Sequence, residues 1–138
     1  MILSKSKLDD HFYVGTQMTV ADVEVMKQDG FEMIINNRPD DEEDGQPTDA
    51  ELREAAEKAG MAYVHVPIGR GLGPSDVAAE REALEMARGK KTFAFCRTGT
   101  RSTLIWAAAC HEEGTDADTL RAKAEAAGYS LDPIQHLL

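Results

Sequence analysis

One short run in this chain holds the residue types needed for nucleophilic chemistry on an anion: Cys96-Arg97-Thr98-Gly99-Thr100-Arg101-Ser102. A cysteine that ends a buried strand and is followed by a glycine-containing loop and a helix has its sulfur beside backbone N–H groups and a positive helix end. That environment favours the thiolate, which is the attacking form. Gly99 is free to take a positive φ, so successive N–H groups can point inward as an anion nest lined by Arg97, Thr98, Gly99 and Thr100. Arg101 can hold a bound oxyanion in its guanidinium fork. Ser102 and Thr103 offer hydroxyls at the helix start, either to hydrogen-bond the sulfur as it leaves or to cap the helix. The catalytic candidates are therefore Cys96, Arg101 and Ser102.

Hydrophobic patterning predicts the elements that must position this loop. Phe12-Tyr13-Val14 reads as a short strand, and Thr19 with Asp22 forms a capping box for a helix over residues 19–29. The apolar run 31–35 reads as a buried strand that breaks at Asn36-Asn37-Arg38-Pro39. Thr48 with Glu51 caps a second helix ending at Gly60, and residues 62–66 form the next strand. Ser75 is read as the cap of a helix running to about Arg88, and residues 92–95 as a fourth strand. After the cysteine loop an apolar helix spans 102–113, Thr115 with Asp118 caps another ending at Gly128, and Asp132-Pro133 suits a short final turn.

This alternation predicts a three-layer α/β/α domain over residues 1–138 with a mostly parallel central sheet. Ligands of such sheets bind beyond the carboxyl ends of the strands. Residues 36–47, 67–74 and 96–101 all follow strands and should meet on that edge.

Other candidate groups have simpler readings. Cys110 follows Trp106 by one helical turn in an alanine-rich stretch and reads as a buried small residue. Arg38 stands beside Asp40, Asp41, Glu42 and Glu43 and reads first as a surface ion pair, with a place lining the site edge as the alternative, and the acidic run 40–44 reads as a solvated loop. His11, His65, His111 and His136 lie in separate elements without ligand spacing, which argues against a metal site, and His65 reads as a satisfied core histidine.

The 138 residues suit one domain, and 42% hydrophobic with 29% charged residues is an ordinary globular composition. With 15 Lys and Arg against 25 Asp and Glu, a net charge of −10 disfavours nucleic acid and anionic membranes as partners. No run approaches the ~20 apolar residues of a membrane span, and the two cysteines suit a reducing, cytoplasmic setting.

Ile34-Ile35-Asn36-Asn37-Arg38-Pro39-Asp40, Gly45-Gln46-Pro47, Tyr63-Val64-His65-Val66-Pro67 and Phe95-Cys96-Arg97-Thr98-Gly99-Thr100-Arg101-Ser102 together resemble the DUF442 family. That family is the phosphatase-like domain of β-lactamase-hydrolase-like proteins and is also labelled a sulfurtransferase family. The resemblance implies a cysteine-phosphatase or rhodanese-like fold, like the dual-specificity phosphatases, with an active loop like that of rhodaneses. Tyrosine phosphatases carry His-Cys, five residues and then arginine. Here Phe95 precedes the cysteine, Arg101 comes one position early and Ser102 stands where that arginine belongs.

The shorter loop makes a tighter cradle, suited to a persulfide sulfur. Cys96, Arg97, Gly99, Arg101 and Ser102 match the rhodanese type Cys-Arg-x-Gly-x-Arg-Ser. A phosphatase also calls for a general acid, for which Asp76, Asp40 and Asp41 are the nearby carboxylates and Asp76 the chosen candidate. Sulfur transfer needs no such acid and no cofactor. The expected activity is therefore a sulfurtransferase that takes sulfane sulfur from a small sulfur-containing donor onto Cys96 and passes it to a thiol acceptor. The alternatives are a phosphatase-like hydrolase acting on a phosphate-containing substrate through a phosphocysteine, and a non-catalytic anion-binding or redox-sensing domain.

Overall fold

A computed structural model describes residues 3–138. Its single sheet has five strands: β1 (Lys5–Asp9), β2 (Phe12–Gly15), β3 (Met33–Asn36), β4 (Ala62–His65) and β5 (Thr92–Phe95). Their order is β1-β2-β5-β3-β4, with β1 antiparallel to β2 and every other pairing parallel. The mostly parallel α/β architecture is thus as the patterning predicts.

The chain's most apolar strands occupy the middle of the sheet. All four residues of β3 and all four of β5 are buried, as strands covered on both faces must be. On one face α1 (Val20–Gln28) and α2 (Asp49–Lys58) pack Val23, Met26, Leu52 and Ala56 over Ile34, Phe93 and Phe95. On the other, α3 (Pro74–Met86), α4 (Thr100–Glu112) and α5 (Ala117–Ala126) pack Ala83, Ile105, Trp106 and Leu120 over Val14, Met33, Ile35 and Ala94. A 3₁₀ turn over Asp132–Leu137 closes the second layer.

Four boundaries differ from expectation. Strand β1 is unforeseen in Lys5-Ser6-Lys7-Leu8-Asp9, where only Leu8 is buried. An edge strand needs little apolar surface, and lysines there oppose edge-to-edge pairing. Ser75 is inside α3, whose N-cap is Gly73 with Pro74 at the first helical position. Helix α4 begins at Thr100 with Gly99 as its cap, so Ser102 and Thr103 are not caps. Asp116, not Thr115, caps α5 by accepting from the Thr119 amide at 3.1 Å. The capping boxes at Thr19/Asp22 and Thr48/Glu51 form as read.

In the parallel pairings Gly15 and Asn36 both align with Phe95, and Asn36 with His65, so β2, β5, β3 and β4 end in one row. The loops that follow them converge on that edge. Among the described residues no helix is long and apolar enough to cross a membrane.

Candidate active site

Cys96 is the first residue beyond the central strand β5 and is buried. The chain then turns through Gly99, whose φ of +92° is the left-handed conformation that glycine adopts without steric cost. This turn brings the Gly99 amide back to donate to Cys96 Sγ at 3.1 Å. The glycine is required twice over. A Cβ there would overlap the Tyr129 hydroxyl, which donates to the Thr98 carbonyl at 3.0 Å and braces the loop from behind. Burial, and then the charge of Cys96, raise the Tyr129 pKa. Nothing in the residues around Tyr129 signals this role, because it reaches the loop from 31 residues away.

Arg101 lies in the first turn of α4 and is half-buried. Its Nη1 donates to Glu42 Oε2 and to the Ile68 carbonyl, each at 2.8 Å, and its Nη2 donates to Glu42 Oε1 at 2.8 Å. Glu42 Oε1 also accepts from Arg38 Nε at 2.8 Å. Arg38 forms the expected ion pairs, but at the site edge and not on the surface. Its side chain is buried, with Nη1 donating to Gln17 at 3.0 Å and Nη2 to Glu43 at 3.1 Å. Arg101 and Arg38 together hold the Glu42 carboxyl down at about 2, so this carboxylate is ionised at any physiological pH. Glu42, foremost, and the Cys96 charge raise the Arg101 pKa. The acidic run is therefore a structured element and not merely a solvated loop: Asp41 turns it with φ +63°, and Gln46 ties it by accepting from the Glu42 amide and donating to the Pro39 carbonyl. Its signal in the sequence was a cation followed by acids, which does not say which acid reaches across to another loop.

Beneath the site, Asn37 links three elements. Its amide donates to the Phe95 carbonyl at 2.8 Å, and its Nδ2 donates to the Val66 carbonyl at 3.0 Å and to Glu80 Oε1 at 3.1 Å. His65 is satisfied as read, with Nε2 at 2.9 Å from the Arg38 carbonyl and Nδ1 at 3.4 Å from Asp49.

The remaining candidates separate by environment. Ser102 Oγ is buried with no hydrogen-bond partner, whereas Thr103 Oγ1 donates to the Gly99 carbonyl at 2.8 Å. Arg97 and Thr98 are exposed on the loop and Thr100 at the first position of α4, and Thr98 Oγ1 donates to Thr100 Oγ1 at 3.2 Å. Asp76 Oδ2 accepts from the Gly73 amide at 2.9 Å, which makes it part of the start of α3. Burial pushes the Cys110 thiol up to about 12, the inert state expected of a packed cysteine. Among the described residues no three His, Cys, Asp or Glu side chains are grouped to hold a metal ion.

Residues 6–113 match the phosphatase-like domain of beta-lactamase hydrolase-like proteins. The chain belongs to that family. A beta-lactamase hydrolase-like protein of Agrobacterium fabrum is 34% identical over 101 residues, which is 72% of this chain and 23% of that relative. The chain thus spans about a quarter of the length of the curated relatives it matches. Among solved structures, a Neisseria meningitidis protein described as a "putative phosphatase" is 37% identical, with a TM-score of 0.76 over 96% of this chain and 94% of that one. The kinase associated phosphatase, solved with its catalytic-site cysteine changed to serine, shares the fold with a TM-score of 0.72 over 99% of this chain and 89% of its own, at 17% identity. The fold of this phosphatase-like domain is therefore that of the cysteine phosphatases, as the family resemblance implied.

Proposed function

We propose that this phosphatase-like domain is a cysteine-dependent phosphatase, in which Cys96 is the nucleophile and the 96–101 loop with Arg101 binds the phosphoryl oxygens. The observation that carries this reading is the pairing of Cys96 Sγ with the inward Gly99 amide at 3.1 Å, at the start of α4. An N–H already aimed at the sulfur, a helix N-terminus and a guanidinium within reach make a site for an oxyanion adjoining a thiolate. Membership in a phosphatase-like family supports phosphorus over sulfur as the substrate atom.

In the reaction, the Cys96 thiolate attacks phosphorus in line with the ester oxygen. The S–P bond forms as the P–O bond breaks, and an aryl oxide leaves and takes a proton from water. Water then attacks phosphocysteine, releasing inorganic phosphate and the thiolate. The loop amides and Arg101 oppose the charge on the equatorial oxygens in both steps. Ser102, with its hydroxyl unpaired in the resting site, is free to donate to the sulfur as it departs.

The sulfurtransferase reading retains two specific supports. Arg101 stands one residue closer to Cys96 than in the tyrosine phosphatases, and Asp76 is engaged at Gly73 in place of serving a leaving group. The deciding experiment offers the protein an aryl phosphate and thiosulfate in parallel, with Cys96→Ser as control. Phosphate release with phosphocysteine trapped at Cys96 supports the phosphatase. Faster sulfite release with a persulfide on Cys96 overturns it in favour of sulfur transfer.

A further inference from the structure

Arg101 has five N–H donors, of which three are engaged. The two Nη1 hydrogens go to Glu42 and Ile68, and one Nη2 hydrogen goes to Glu42. The donors left over are Nε–H and the second Nη2–H. In a planar guanidinium these two lie side by side on one edge, the spacing that receives two oxygens of one oxyanion. Glu42 therefore occupies the outer end of the fork and leaves its bidentate side edge available.

The carboxylate that does this is itself fixed. Arg38 is 1% exposed, and its Nε shares Glu42 Oε1 with Arg101 Nη2, each contact being 2.8 Å. Gln17, in the loop after β2, holds the far side of Arg38 at 3.0 Å. A line of contacts thus runs from the end of β2 through Arg38 and Glu42 to Arg101. The arrangement has a reason in the spacing. Because Arg101 comes one residue early, its side chain leaves the helix at a different angle from that of an arginine one position later, by about 100° for an α-helix. An outside group has to set its direction.

We propose that Glu42, anchored by Arg38, is a positioning residue that aims the Nε edge of Arg101 at the oxyanion bound over Cys96. This rests on the oxyanion-binding phosphatase reading above. It opposes the other role a carboxylate on an arginine can have, which is to compete with the anion and block the site.

The two roles give effects of opposite sign. Inorganic phosphate binding is measured by calorimetry, and aryl phosphate turnover by phenol release, for wild type, Glu42→Gln, Arg101→Lys and the double variant. Positioning predicts that Glu42→Gln weakens phosphate binding and lowers kcat/KM by roughly ten- to a hundredfold, the scale of a misplaced binding group. It also predicts that the same change has no further effect in the Arg101→Lys background, since Glu42 acts only through that fork. A residue needed merely to keep the loop folded would reduce both backgrounds equally, and that result overturns the proposal. Unchanged or tighter phosphate binding by Glu42→Gln overturns it in favour of a blocking carboxylate, with the phosphatase reading intact. Wild type that neither binds phosphate nor turns over aryl phosphate overturns both.

Discussion

Asn37 and Glu80 meet in the core with one donor between two groups that each need more: Asn37 Nδ2 donates to Glu80 Oε1 at 3.1 Å, while Asn37 Oδ1 and Glu80 Oε2 have no partner. Protonation of Glu80 replaces an uncompensated buried charge at Oε2 with a neutral carboxyl. Burial raises this carboxyl to about 7, against a donation from Asn37 that lowers it.

The linkage has a definite sign. A group whose folded pKa is raised from 4.5 to about 7 binds more protons folded than unfolded across that window, so stability falls as pH rises through it and levels off above. The span corresponds to a loss on the order of 3 kcal/mol. Glu80→Gln, which presents a fixed donor and acceptor to the Asn37 amide, should remove most of this slope and exceed wild type in stability at pH 8. Urea unfolding of both proteins at pH 5 and pH 8 measures it, and parallel slopes would mean that Glu80 is not protonated in the fold.

Gly99→Ala should damage the loop through two separable effects. The left-handed backbone at φ +92° costs an L-residue about 1–2 kcal/mol, and the new methyl meets the Tyr129 hydroxyl. The thermal midpoint should fall, and stabilisation by inorganic phosphate should disappear. Adding Tyr129→Phe removes the hydroxyl but leaves the ring carbon Cζ 2.9 Å from the new methyl and gives up the contact with Thr98, so it should recover only a fraction of the overlap and none of the part due to φ.

Ser102→Ala tests a hydroxyl that the resting fold does not use. Removing a buried oxygen without a partner relieves a desolvation cost of roughly 1–3 kcal/mol, so the variant should be at least as stable as wild type. Turnover should nonetheless drop in kcat with little change in KM, as expected for a contact made when the sulfur departs. Lower stability with normal kcat would assign Ser102 to packing alone.

Asp76→Ala separates a helix-start role from that of a general acid. Loss of the Oδ2 contact with the Gly73 amide should cost about 1 kcal/mol of stability. Hydrolysis of an aryl phosphate with a good leaving group should stay near wild type, and so should that of a poorer alkyl phosphate. A selective collapse with the poor leaving group would restore Asp76 as the proton donor.

The order of strands and helices, both capping boxes and the cysteine loop could be read along the chain, because each depends on residues within a few positions of one another. Thr19 meets Asp22, Thr48 meets Glu51, and Gly99 folds its own amide onto Cys96. β1 escaped because a charged edge strand pairs through its backbone and leaves almost no hydrophobic pattern. The surroundings of the loop escaped for another reason. Glu42 reaches Arg101 across 59 positions, Tyr129 reaches Thr98 across 31, and Asn37 reaches Glu80 across 43. Five acids follow Arg38 within six positions, and local spacing treats them as equivalent exposed charges. Only the row in which β2, β5, β3 and β4 end together brings one of them onto Arg101, since that choice depends on strand order and register and not on neighbours in the chain.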